Sequence, residues 1–345
     1  MLRILDANLN RIGEGLRVLE DISRFTLNDR NISEQLKDLR HQLLPTNRAI
    51  QENLLSAREA QADVGAFLEV EGEGERFDTA SLVSANSRRV QQSLRVIEEI
   101  TKIPGQEFGF DWNEFKRSRF IVYELEQNIL LQLTRRHKRD RLTGLYLILD
   151  KQALGDRHDA DVARQALEGG TRSIQLRDKV RSKSELIPVS IELKRLCSEF
   201  NALFIVNDHL DVALAADADG LHIGQDDLPL PVARMLMPDN KIVGCSAATL
   251  DEAALADAQG ADYVGVGSIY PSPSKPGTRI AGLEILRQVK DTVSIPVVAI
   301  GGINEDNVAG IMDAGADACA VISSVLGADD ITEASRKLAS LMEDR

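Results

Sequence analysis

The chain has 345 residues, 43% of them apolar and 28% charged, with a formal charge of −13. This is the composition of a globular protein, not a disordered one, and the length exceeds an average single core, so two domains are expected. The acidic excess excludes non-specific binding to nucleic acid or to anionic membrane surfaces, both of which reward surplus Lys and Arg.

Any anionic ligand must therefore be held by locally placed bases. Cys197, Cys245 and Cys319 lie far apart without metal-ligand spacing, so neither a disulfide framework nor a zinc site is expected. The opening MLRILDANLNR holds no apolar signal core, and no run approaches the roughly 18 residues that span a bilayer. The expectation is a soluble, cytoplasmic protein.

The first predicted element is a helix from Asp6 to about Thr26, with Leu9, Ile12, Leu16, Leu19 and Ile22 at helical spacing. Its text returns later. Ala7-Asn8, Arg11 and GLRVLEDIS correspond to Ala85-Asn86, Arg89 and SLRVIEEIT, and LKDLRHQLL from Leu36 corresponds to FKRSRFIVY from Phe115. Lys37 then aligns with Lys116 and Arg40 with Arg119. A duplicated helical hairpin packs most simply as a four-helix arrangement. The duplicated Asn8/Asn86, Arg11/Arg89, Arg17/Arg95 and Glu20/Glu98 fit two readings. One is a pair of related anion pockets; the other is intrahelical pairing of Arg17 with Glu20 and Asp21. VEGEGERFD, residues 70–78, reads as a polar connection between the copies, and no Gly-rich phosphate loop occurs. The last helix is expected from Asp111 through Leu133. Residues 1–136 form this all-helical domain, 137–143 a basic linker, and 144–345 a second domain.

From Gly144 onward, short β-rich runs alternate with amphipathic segments: GLYLILD, RSIQLRD, LFIVND, GLHIGQ, IVGCSA, DYVGVGS, PVVAIGG and ACAVISS. Eight β-α units in about 200 residues predict an α/β fold, a closed (β/α)₈ TIM barrel. An open doubly wound sheet is the alternative, but Leu149-Asp150-Lys151 is not the Gly-rich turn it would need. In a barrel the chemistry lies where strands end at their C-termini, so each run's last residues are site candidates. Strand two gives Gln175, Arg177 and Lys179, spaced to share one side of an extended segment, where two cations repel unless an anion separates them. Strand three gives Asn207 and Asp208, strand four His222, Gln225, Asp226 and Asp227, and strand five Ser246. The long loop YPSPSKPGT carries Lys275, and strands seven and eight end in Gly301-Gly302 and Ile322-Ser323-Ser324, suited to cradling a phosphate on backbone N–H groups.

Plainer roles stand beside these. Asp226 or Asp227 would serve as a helix cap, His222 as a barrel-interior histidine, and Gly301-Gly302 as a turn. Convergence favours a site: a Mg²⁺-bound pyrophosphate near Asp208, Asp227, Arg177, Lys179 and Lys275, and a monophosphate at Gly302 and Ser323. No Ser-His-Asp array emerges, so charge neutralisation and positioning would carry the catalysis.

These motifs, IQLRDK, FIVNDHLDVALAADADGLHIGQDDLP, GCSAAT, DYVGVGSIYPSPSKPG, AIGGI and AVISS, resemble those of thiamine-phosphate synthase from about Gly144 to the end. That family joins hydroxymethylpyrimidine diphosphate to thiazole phosphate and releases pyrophosphate. The resemblance implies that Gln175, Arg177 and Lys179 bind the pyrimidine diphosphate, with Asn207, Ser246 and Lys275 assisting. It implies Asp208 and Asp227 as Mg²⁺ ligands, and Ser272, Ser274, Gly302, Ile322 and Ser323 around the thiazole phosphate. Arg177, Lys179, Ser246 and Lys275 would form the catalytic set, and ionisation to a pyrimidine-methyl cation would precede attack by the thiazole nitrogen. Two departures from the family pattern are Ser-Pro-Ser where Thr-x-Thr is usual, and Ser268 where Pro is common. The related thiazole tautomerase shares the barrel but tends to lack the full diphosphate set.

DANLNRIGEGLRVLEDISRF and its echo resemble the helical extension fused in front of some thiamine-phosphate synthases, to which hydroxymethylpyrimidine-phosphate kinase activity is ascribed. ATP would then be a ligand of the first domain, with a scaffold or dimerisation role, and so a homo-oligomer, as the alternative. Competing readings of the whole chain are another phosphate-binding barrel isomerase and a non-catalytic sensor of thiamine phosphates. The isomerase would need a rim acid and base, and the sensor could lose the metal carboxylates.

Overall fold

The computed structural model describes residues 1–45, 47–58, 76–104, 109–271 and 280–343. The chain divides into two compact units, residues 1–133 and 134–345.

In the first unit, α1 (Leu2–Asp21) places Leu5, Leu9, Ile12, Leu16 and Leu19 on one stripe, all buried, as spacings of three and four residues require. A π-helical turn follows over Ile22–Thr26, and Asn28 at φ 53° leads to Asp29, whose side chain caps α2 (Arg30–Leu43). α3 (Arg48–Ser56) has no counterpart in the repeat. α4 (Thr79–Thr101) opens on a capping box at Asp78 and Ser81. The connection read at residues 70–78 lies outside the described residues up to residue 75.

The duplication is structural as well as textual. Asn8 and Asn86 each donate from Nδ2 to the carbonyl four residues back, at 2.8 and 2.9 Å. The buried Glu20 accepts from Arg17 and, across the hairpin, from Arg40 at 3.1 Å. Glu98, 1% exposed, repeats this with Arg95 at 2.9 Å and Arg119 at 3.2 Å, and adds Lys102. The intrahelical reading therefore holds, and the aligned Arg40 and Arg119 supply a bond between helices that spacing alone did not show. Gly15 lets α1 approach α4 closely, since a Cβ there would sit 2.5 Å from Val90.

Helix α5 (Trp112–Asp140) begins in the first unit and outlasts its expected end. It runs seven residues past Leu133, through residues 137–140, because RRHKRD contains no helix breaker and its cations suit a helix C-terminus. Within the second unit Arg135 pairs with Asp262 at 2.7 Å and Lys138 with Asp219 at 3.1 Å. Leu142, 1% exposed, enters the barrel interior.

The eight runs form β1 (Gly144–Asp150), β2 (Ser173–Arg177), β3 (Leu203–Asn207), β4 (Gly220–Ile223), β5 (Ile242–Ala247), β6 (Tyr263–Gly267), β7 (Val297–Ile300) and β8 (Ala318–Val321). All pair in parallel with their sequence neighbours, and β8 closes on β1. The connecting helices are α6 (Lys151–Leu154), α7 (Asp159–Glu168), α8 (Lys183–Glu199), α9 (Leu210–Ala215), α10 (Leu230–Leu236), α11 (Leu250–Ala258), α12 (Gly282–Thr292), α13 (Val308–Asp313), α14 (Ser323–Leu326) and α15 (Ile331–Glu343). Alternate strand residues divide between two cores. Leu145, Leu147, Val206 and Val264 pack outward beneath the helices, while Tyr146, Ile148, Ile205, Tyr263 and Val298 fill the interior. Gly244 faces inward because it must: a Cβ there would lie 2.0 Å from the Tyr263 ring. No helix of the described residues is long and apolar enough to cross a membrane.

Glu98→Ala should lower the stability of the first unit by about 2 kcal/mol, because the half-buried Arg119 loses its carboxylate partner. Arg17→Ala, which removes an exposed partner, should cost under about 1 kcal/mol. Fluorescence of Trp112, the single tryptophan, reads this in urea titration. At Asp219 burial favours the protonated form, but the Lys194 bond and charge and the Lys138 charge outweigh it and hold the pKa below the ordinary value. A carboxylate depressed in this way stabilises the fold above its unfolded pKa, and that contribution is lost as pH falls through the folded pKa. Asp219→Asn should thus lower stability at neutral pH and flatten the acid limb of a circular-dichroism pH titration.

Candidate active site

The C-terminal ends of the strands surround a cavity of about 410 Å³. Of the residues singled out from the sequence, Gln175, Arg177, Lys179, Asn207, Asp208, Asp227, Ser246, Gly302, Ile322 and Ser323 all line it. Ser272, Ser274 and Lys275 lie outside the described residues.

The expected repulsion between Arg177 and Lys179 is resolved by carboxylates. Register places Asp150 beside Arg177 on the adjacent strand, and the two form an ion pair. Asp150 also caps α6 through the Gln152 N–H at 3.0 Å. One guanidinium Nη is engaged there, and a guanidinium has further N–H donors to offer an anion in the cavity. Lys179, 61% exposed at the mouth, stands 3.6 Å from Asp208.

Asp208 follows β3 directly and adopts φ 63°, a left-handed conformation that a non-glycine residue holds only when its surroundings impose it. Its own N–H donates to the His222 carbonyl at 2.8 Å, which ties the turn to β4. Asp227 does not cap α10, whose N-cap is Pro229; its Oδ2 accepts the Gly224 N–H at 2.7 Å instead. The two carboxyl groups share a hydrogen bond. Burial, that bond and the charge of Asp227 raise the Asp208 pKa above the usual range. Burial also acts on Asp227, but the Asp208 bond, the Gly224 N–H and the Lys179 charge outweigh it and hold its pKa down. Two adjoining carboxyl groups whose pKa values are pushed apart suit a hard divalent cation, which would neutralise both. Among the described residues no group of three or more acidic, histidine or cysteine side chains converges. The remaining ligands would then be water and substrate oxygens, the ordinary coordination of Mg²⁺.

Opposite, Gly301 and Gly302 take φ 103° and 65°. A Cβ at Gly302 would fall 2.6 Å from the Pro271 carbonyl oxygen, so only glycine permits this approach to the segment after β6. Asn307 fixes the turn by donating to the Gly302 carbonyl at 2.9 Å. Ser268 fits where the family commonly has Pro, since its Oγ donates to the Tyr270 carbonyl at 2.8 Å while it packs against Gly301.

Tyr146, Tyr263, Asp150 and Glu252 were not singled out from the sequence. Tyr146 and Tyr263 line the cavity floor, and strand alternation alone would have turned them inward. Asp150 required the strand register, and Glu252 lines the cavity while accepting the Ala248 N–H at 2.6 Å. His222 is an interior histidine, as its plainer reading held, yet it also lines the cavity and bonds Tyr263 and Ser246.

Residues 145–325 match the family model described as thiamine monophosphate synthase, and residues 3–128 match that of the ThiD2 family. The thiamine-phosphate synthase of a Synechocystis species is 40% identical over 337 residues, covering 97% of this chain and 94% of its own. That of a Nostoc species is 38% identical over 339 residues, covering 98% and 93%. The solved thiamine phosphate pyrophosphorylase of Pyrococcus furiosus is 42% identical with a TM-score of 0.56, covering 60% of this chain and 98% of that one. With relatives spanning nearly its whole length, this chain belongs to the thiamine-phosphate synthase family, transferases of thiamine biosynthesis.

Proposed function

We propose that the barrel rim joins 4-amino-2-methyl-5-(diphosphooxymethyl)pyrimidine to thiazole phosphate by a dissociative substitution. The observation that carries this reading is the opposition of two anion-binding edges on one cavity: Arg177, Lys179, Asp208 and Asp227 on one side, and Gly302, Ile322 and Ser323 on the other. The bond between the pyrimidine methylene carbon and the diphosphate oxygen breaks, and its electron pair leaves on the diphosphate. The thiazole nitrogen lone pair then forms the new C–N bond. Arg177 and Lys179 meet the charge that grows on the departing group. Asp208 and Asp227 would hold Mg²⁺, which when bound neutralises diphosphate oxygens. Gln175, Asn207 and Ser246 orient the pyrimidine, and backbone N–H groups near Gly302 and Ser323 hold the second reactant's phosphate so that its nitrogen faces the reacting carbon. Ser272, Ser274 and Lys275 belong to the same reading, as phosphate contacts from the loop after β6. The metal carboxylates and cations at this rim favour the synthase over a tautomerase-like barrel or a sensor.

For residues 1–136 the reading is a kinase that uses ATP to phosphorylate hydroxymethylpyrimidine phosphate, supported by the match of residues 3–128. Its product would be the diphosphate that the barrel consumes. The three buried free thiols suit a reducing, cytoplasmic location.

Asp208→Ala should cut thiamine phosphate formation about a hundredfold or more while leaving the circular-dichroism spectrum unchanged. Undiminished turnover would remove the metal role from this residue. The full chain given pyrimidine phosphate and MgATP, without thiazole phosphate, should accumulate the diphosphate. No accumulation would leave the helical unit as a scaffold.

A further inference from the structure

Five polar side chains form an unbroken line across the barrel floor. Gln175 Nε2 donates to the Tyr146 hydroxyl at 2.9 Å, and that hydroxyl lies 3.2 Å from the hydroxyl of Tyr263. The Tyr263 hydroxyl lies 3.0 Å from His222 Nδ1, and His222 Nε2 lies 3.0 Å from Ser246 Oγ. Glycines make room for the line. A Cβ at Gly244 would strike the Tyr263 ring, and one at Gly265 would press on the His222 ring at 3.1 Å.

Proton counting gives the line a direction. An amide nitrogen only donates, so the Tyr146 oxygen is an acceptor toward Gln175, and its own proton needs an acceptor elsewhere. The Tyr263 oxygen is the one at hand. Both phenols are almost wholly buried, at 2% and 0% exposure, and both keep their protons, because burial pushes their pKa values up. Tyr263, having accepted from Tyr146, gives its proton to His222 Nδ1. A neutral imidazole that accepts at Nδ1 carries its hydrogen on Nε2, and this one meets Ser246 Oγ. The serine hydroxyl proton is then the one in the line with no acceptor among the described residues, and Ser246 stands on the cavity wall. Run the other way, the line would leave without an acceptor the hydroxyl proton of Tyr146, which is 2% exposed, whereas the hydroxyl of the half-buried Ser246 is the more open to the cavity.

We infer that Tyr263 is a positioning residue: it fixes His222 as the Nε2–H tautomer and so commits Ser246 to donate a hydrogen bond into the cavity. The matching ligand group is a hydrogen-bond acceptor, a ring nitrogen of the aromatic heterocycle. A ligand that presents only an N–H at that point would leave two donors facing each other. This inference rests on the coupling reaction proposed above for the choice of ligand, but the tautomer itself does not.

The test is ¹⁵N-histidine NMR of the full chain at about pH 8, where an ordinary imidazole is neutral. The His222 signals, among five histidines, are assigned by their loss in His222→Gln. A protonated Nε2 and a hydrogen-bonded, unprotonated Nδ1 are expected. Tyr263→Phe should move the Nδ1 signal and raise KM for the pyrimidine diphosphate about tenfold, with KM for thiazole phosphate unchanged. Ser246→Ala should produce the same KM change with the Nδ1 signal in place. If Tyr263→Phe does not fold, the wild-type tautomer and Ser246→Ala decide. A proton on Nδ1 in the wild type, or an unmoved tautomer in Tyr263→Phe, overturns the inference while leaving the coupling reaction standing. A wild-type chain that forms no product overturns the coupling reaction and leaves the tautomer measurement valid, since it needs no substrate.

Discussion

The constraint on which the site depends is electrostatic: Asp208 and Asp227 adjoin one another at a partly desolvated mouth, where two ionised carboxylates cannot coexist without a counter-charge. Lys179, 3.6 Å from Asp208, supplies part of that charge. The arrangement exists because β3 and β4 are parallel neighbours, so their C-terminal ends arrive together, and because Asp208 is held in a left-handed turn. Such a pair adds no stability on its own, and this supports the proposal that it holds a cation.

The opposite end of the barrel makes the contrast. Asp219 and Asp262 are also buried carboxylates, yet each is met by two cations, Lys194 and Lys138 for the first and Arg135 and Arg234 for the second. The pKa of Asp219 is therefore held down and the residue ties β4 to its surroundings, whereas burial and the neighbouring Asp227 push that of Asp208 up. One residue type is thus met by paired cations at the end where strands begin and by a second carboxyl group at the cavity rim where they finish. Between the two ends lies the polar line from Gln175 to Ser246, which gives the apolar barrel interior a fixed pattern of donors at the cavity floor.

Much of this was legible in the sequence, and the reasons differ by element. Short β-rich runs set between amphipathic segments made all eight strands readable, and the strand ends pointed to fourteen of the residues that line the cavity. Asp150 escaped because its link to Arg177 depends on register between β1 and β2, which no spacing along one strand reveals. The Tyr146–Tyr263–His222 contacts escaped for the same reason, since they cross from β1 to β6 to β4 over positions left empty by glycine. The end of α5 was misplaced because a basic run reads as solvated linker, whereas Arg135 and Lys138 find buried carboxylates within the second unit. In the helical unit the repeat announced Arg40 and Arg119 as equivalents, but only packing showed that each reaches the glutamate of the facing helix.

The proposal that the two carboxylates hold a divalent cation together with a diphosphate is tested most directly by crystallography. Crystals soaked with Mn²⁺ and inorganic pyrophosphate should show an anomalous peak in contact with both Asp208 and Asp227 and with pyrophosphate oxygens. A peak elsewhere on the rim, or pyrophosphate bound with no metal at these residues, would contradict it.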